Sequence, residues 1–133
     1  MWFTSIKSKI ITLLDYQLKA KYSTTYPNLT VTDRGQNPTD AVFPCVYVNE
    51  LMGSELAKTL ETGVVDAVQS DLQIEVYSDI SQTEADYVAG TVMEIMVGLG
   101  YSIIVKPYPM NANGVYRIVA RYRRTIGSED NIF

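Results

Sequence analysis

Residues 114–127 read GVYRIVARYRRTIG. As a strand, the segment places Tyr116, Ile118, Ala120 and Tyr122 on one face and Val115, Arg117, Val119, Arg121 and Arg123 on the other, because successive strand side chains point to opposite sides. Four of the chain's five arginines lie between positions 117 and 124. The first set is a core face. The second is either the solvated face of an antiparallel sheet, which alternates in this way, or a contact surface. Val115 and Val119 among the arginines favour contact, as does the ability of a guanidinium fork to pair with carboxylates bidentately.

Working outward, YSIIVKPYP before this segment forms its hairpin partner across the turn-rich MNANG, giving strands near 102–108 and 114–125. Upstream, SQTEADYVAGTVMEIMVGLG predicts a helix over 82–98. Ser81 and Glu84 supply a capping box, Ala85, Val88, Val92, Met96 and Leu99 a helical apolar stripe, and Gly98 and Gly100 a stop. DLQIEVYSD predicts a strand over 71–78, and FPCVYVNEL one over 43–50 that Pro44 confines to a sheet edge or to its first residues. A further short strand near 28–33 and an amphipathic helix over 4–22, with Ile6, Ile10, Leu13, Leu14 and Leu18 at helical spacing, complete the set. Residues 51–70 stay open between a short helix from Ser54 to Gly63 and an extended arm with a β-like GVVDAV. Residues 34–41 read as a loop and 127–133 as a frayed tail. The order α-β-β-β-α-β-β predicts one α+β domain over residues 1–133, a mostly antiparallel sheet packed against two helices.

Composition narrows the chemistry. The 133 residues include no histidine and one cysteine, Cys45, so histidine-based nucleophile pairs, histidine general bases and cysteine zinc clusters have no material. Cys45 alternates with Phe43 and Tyr47 in a strand without a basic neighbour in sequence, and reads as core. The lysines at 7, 9, 19 and 21 interrupt the first helix, so it reads neither as a signal peptide nor as a membrane span. The expectation is a protein made in a reducing cytosol.

Charge is segregated along the chain. Residues 1–49 carry five basic and three acidic side chains, residues 50–94 one basic and ten acidic, and residues 95–133 five basic and two acidic. An acidic middle between basic ends can present complementary patches. Glu55, Glu61, Asp66 and Asp71 match no calcium loop and read as an acidic surface. Ten tyrosines suggest nucleic-acid stacking platforms, but the net charge of −4 and the core-facing Tyr116 and Tyr122 oppose that reading. No catalytic, cofactor or metal constellation emerges, and the expectation is a protein that is not an enzyme.

FPCVYVNEL at 43–51, LETGVVDAVQSDLQIEVYSD at 60–79, the second helix with its terminal GLGY, and GVYRIVARYRR at 114–124 together resemble the tail-completion or tail-terminator proteins of long-tailed bacteriophages. The resemblance follows element order across residues 5–126. It implies a structural virion protein of the head–tail neck, assembled in the host cytoplasm. A ring, by family a hexamer, would cap the tail-tube protein and meet the head-closure or connector protein, with DNA in transit through its channel and no membrane or cofactor. A ring uses heterologous contacts, which gives Arg117, Val119, Arg121 and Arg123 the role of a subunit interface against a neighbour's acids. Glu55, Glu61, Asp66 and Asp71 become an acidic arm facing the channel, since a wall that passes DNA without gripping it should not be basic. The alternatives are a head-closure protein of the same neck and a monomeric binding module of a host cell.

Overall fold

The computed structural model describes residues 6–27, 29–33, 44–51, 55–58, 65–111 and 115–127. Its elements are α1 (Ile6–Tyr22), β1 (Thr30–Thr32), β2 (Cys45–Glu50), β3 (Glu55–Lys58), β4 (Val65–Ser78), α2 (Gln82–Gly98), β5 (Ser102–Pro109) and β6 (Tyr116–Gly127). The fold is α+β, as expected, with one strand more than the sequence pattern suggested. Six strands form a single sheet in the order β1-β2-β4-β6-β5, with β3 attached to β4 outside that path. Only β1, which runs parallel to β2, departs from antiparallel pairing among the described strands.

The two helices cover one face of this sheet. In α1 every fourth residue is buried, Ile6, Ile10, Leu14, Leu18 and Tyr22, which is the narrow stripe an α-helix generates from that spacing. In α2, Ala85, Val88, Ala89, Val92 and Met96 face inward. They meet Val46 and Val48 of β2, Leu72, Ile74 and Val76 of β4, and Ile118, Ala120, Tyr122 and Ile126 of β6. Each large aliphatic side chain removed from water here contributes about 1.5–3 kcal/mol. The helices are also tied to each other by polar contacts: the Tyr22 and Thr91 hydroxyls lie 2.6 Å apart, and Tyr22 donates to the Tyr87 carbonyl at 3.1 Å.

Local signals hold where they are strong. Ser81 caps α2 by accepting the Glu84 N–H at 3.1 Å. The reciprocal half of the capping box does not form, because the Ser81 N–H faces the Ser78 hydroxyl at 3.5 Å. Glu84 is buried instead, and its Oε1 has no hydrogen-bond partner among the described residues. Pro44 stands just before the first ladder pair of β2, so its missing N–H interrupts no pairing, and its carbonyl accepts the Thr30 N–H at 3.2 Å.

The reading of 51–70 needs correction. Residues 55–58 are the strand β3, which removes the helix alternative there, while Glu61 and Gly63 lie outside the described residues. β4 begins at Val65, six residues before the expected strand. The physical reason is tertiary: Ala67 to Ser70 receive ladder partners from Gly127 to Arg124 on one side, and Val65 to Val68 from β3 on the other. Neither partner is visible in local alternation. At 14 residues, β4 reaches about 46 Å, against about 25 Å for a 17-residue helix such as α2. β4 is therefore longer than either helix, and toward its start Val68 and its ladder partner Ile126 still pack on the core.

α2 ends where the glycines foretold. Gly100 adopts φ +90°, a region hostile to L side chains, and a Cβ there would sit 3.3 Å from Arg124 Nε. Arg124 Nη1 donates to the Leu99 carbonyl at 2.7 Å, placing a cation at the helix's negative end. Gly90, by contrast, lies mid-helix with open space around it. Gly100→Ala should cost roughly 1–2 kcal/mol, and Gly90→Ala should gain about 0.5–1 kcal/mol. Urea denaturation of the two variants checks both signs.

Candidate assembly interface

The sheet face away from the helices carries the arginines. Strand register sets its rows: Cys45, Tyr77 and Arg117 lie side by side, then Tyr47, Glu75 and Val119, then Asn49, Gln73 and Arg121, with Asp71 beside Arg123. This face is not uniformly solvated. Cys45, Tyr47, Glu75 and Val119 are all buried. Tyr47 and Tyr77 meet edge to face at 5.2 Å between centroids, and the Arg117 guanidinium stands 5.9 Å from the Tyr77 centroid.

The cation–carboxylate pairs form inside the chain. Arg117 Nη2 meets Glu75 Oε1, diagonally across the β4–β6 ladder, with Glu75 fully buried. Arg123 straddles Asp71, with Nε to Oδ1 at 2.7 Å and Nη2 to Oδ2 at 3.5 Å. Arg121 Nε donates to the neutral Gln73 Oε1 at 2.9 Å. Arg117 and Arg123 thus find within their own subunit the acids that the sequence reading assigned to a neighbour. Val119 is a buried member of the same face. Arg121 alone of the three arginines keeps a neutral partner in these contacts.

The acidic set separates in the same way. Asp71 belongs to the sheet, held by Arg123 and by a hydrogen bond from Gln69 at 3.1 Å, so it is a ladder residue and not part of a loop. Glu55 sits on β3 and Asp66 at the start of β4, while Glu61 lies outside the described residues.

Glu75 and Gln73 are what the sequence reading missed. Asp71, Gln73 and Glu75 share a strand face at two-residue spacing, as do Arg117, Val119, Arg121 and Arg123. The complementarity becomes readable only after β4 and β6 are known to be neighbours. Cys45 behaves as core: burial pushes its thiol up to about 11. Among the described residues no group of three or more histidine, cysteine or carboxylate side chains is placed to hold a metal ion. No helix among them is long and apolar enough to cross a membrane.

Compared with known proteins, the chain matches no family model and no curated sequence.

The buried pair gives a sharp expectation. Arg117→Met leaves the Glu75 carboxylate without its cation in a site it cannot leave, costing about 3–5 kcal/mol, whereas Arg117→Met with Glu75→Leu should recover most of that loss. A double-mutant cycle by urea denaturation measures the coupling. Cys45 supplies a second expectation. The folded thiol ionises near 11 against 9.0 for an ordinary thiol. The unfolded chain therefore releases this proton first, and the thiol's contribution to stability is complete below pH 9 and lost as pH rises to 11. Comparison with Cys45→Ala in denaturation at stepped pH isolates that slope.

Proposed function

We propose that the chain is a structural subunit of the head–tail neck of a long-tailed bacteriophage, a tail-terminator or tail-completion protein that closes into a ring, caps the tail tube and meets the head connector. The observation that carries this reading is the sheet's excess length over its helices. β3 and the first residues of β4, Val65 to Ala67, precede the core-packed Val68, with Glu55 on β3 and Asp66 in that stretch of β4. A subunit that lines a channel needs such an element, and acids on it suit a passage for DNA, because phosphates are repelled instead of bound.

The sequence resemblance supports the same reading through element order. The arrangement of the arginine face requires one revision of it. With Arg117 and Arg123 already neutralised by Glu75 and Asp71, the ring contact must draw mainly on other side chains. Placing charges in cross-strand pairs also gives the sheet a stiff outer surface, useful in a part that bears load. The ring passes DNA, holds no cofactor and performs no chemistry on its substrate.

Purified protein added to tail tubes assembled without heads tests this. Negative-stain microscopy should reveal an added ring at one end of each tube and an end to further tube growth. Tubes that continue to elongate at saturating protein would refute the reading. A ring found only on the head-side connector would transfer the protein to the other side of the neck.

A further inference from the structure

The ring reading leaves open which surfaces meet, and here α2 and the β5–β6 pair differ in sign, while α1 brings Lys7, Lys9, Lys19 and Lys21 to the helix layer. α2 carries Glu84, Asp86 and Glu94 with no lysine or arginine, whereas β5 and β6 carry Lys106, Arg117, Arg121, Arg123 and Arg124 with no acid. On α2 the exposed Asp86, Tyr87, Glu94 and Val97 fall within one outward arc of the helix, since their positions project to a span of about 100° at 3.6 residues per turn. Neither Asp86 nor Glu94 has an ion-pair partner among the described residues.

On the opposite side of the molecule, Tyr108 lies in register with Val119, and Val105 with Arg121, so all four share the sheet face turned away from α2. Tyr108 and Arg121 are exposed there, while Ile104 and Lys106, exposed on the edge strand, flank Val105 and by alternation belong to its other side. The Arg121 charge meets only the neutral Gln73 amide in its hydrogen bond. These acidic-apolar and basic-apolar patches lie on opposite faces of one two-layer domain, and cannot reach each other within a single copy.

We infer that copies of this chain dock front to back, the outer face of α2 on one copy seating against the outer face of β5 and β6 on the next. This inference rests on the ring reading and specifies its contact. Charge complementarity selects a second copy as the occupant, because both halves of the match are written on the same chain. Two different patches in contact make a heterologous interface, the kind that closes into a ring when the rotation permits. Apolar Tyr87 and Val97 on one copy and Tyr108 on the next supply the dry centre, and the charges set orientation. The contact is made by side chains and not by strand addition. β5 is interrupted by two register shifts and contains Pro107 and Pro109, which break the row of donors that an added strand would use.

A charge swap tests it. One variant carries Asp86→Lys and Glu94→Lys, the other Arg121→Glu, and circular-dichroism melting verifies that each folds. Each alone should self-associate roughly a hundredfold more weakly than the unmodified chain in native mass spectrometry at rising concentration, because like charges then face each other. Mixed in equal amounts, they should assemble as alternating rings, since the lysine-bearing helix of one meets the glutamate-bearing strand of the other. Unimpaired assembly of either variant alone overturns the inference, and so does failure of the mixture when the unmodified chain assembles. If both single variants still cap tail tubes, the docking surface is wrong while the tail-terminator reading stands. If the unmodified chain neither self-associates nor caps tubes, the tail-terminator reading falls and the docking surface falls with it.

Discussion

The twelve-pair antiparallel ladder between β4 and β6, running from Ala67 opposite Gly127 to Ser78 opposite Tyr116, is the constraint on which the rest of this molecule depends. Its register puts Leu72, Ile74, Val76, Ile118, Ala120 and Tyr122 under the helices, and Asp71, Gln73, Glu75, Arg117, Arg121 and Arg123 on the far side. A slip of one residue on either strand would reverse its faces and drive charges into the core, since side-chain direction alternates with period two. The buried Arg117–Glu75 pair reinforces the same choice: any register that parts these two leaves a charge inside the protein without compensation. Their contribution is to specificity of pairing more than to net stability, because desolvating two ions offsets most of their attraction.

From that ladder the remaining elements take their places by the surfaces they leave unfilled. α2 returns the chain from β4 to β5 across the apolar face, and Arg124 reaches back from β6 to the Leu99 carbonyl, so the last strand fixes the end of the helix that precedes it. α1 adds its stripe beside α2, joined through Tyr22 and Thr91. β1 and β2 extend the sheet on one side, while β5 closes the other as an irregular edge with two prolines. That edge resists indiscriminate pairing, which directs association toward side-chain surfaces, and α2 and the outer face of β6 then offer charges of opposite sign. The assembly proposed above follows from this division: charges spent inside the ladder stabilise the subunit, and those left on α2 and the outer strands are available between subunits.

The sequence by itself determined the elements whose signals are local. The i, i+4 stripe of α1, the Ser81 cap and glycine stop of α2, the period-two alternation of β6 and the proline at the start of β2 each encode a structure within a window of a few residues, and each is found where its signal lies. Cys45 as core was legible for the same reason, a small apolar side chain in an alternating strand. Only the tertiary structure decided the extra length of β4, the strand β3 in the stretch left open between helix and arm, the burial of both faces near Glu75, and the partners of the arginines. The β4–β6 ladder and the arginine pairs join residues about 40 to 60 positions apart, such as Arg117 with Glu75 and Arg123 with Asp71, and even β3 finds its partners in another strand and not in its own alternation. A side chain's alternation states which way it points. What it meets there depends on which strand lies next to it, and strand neighbours are chosen by the packing of the whole sheet.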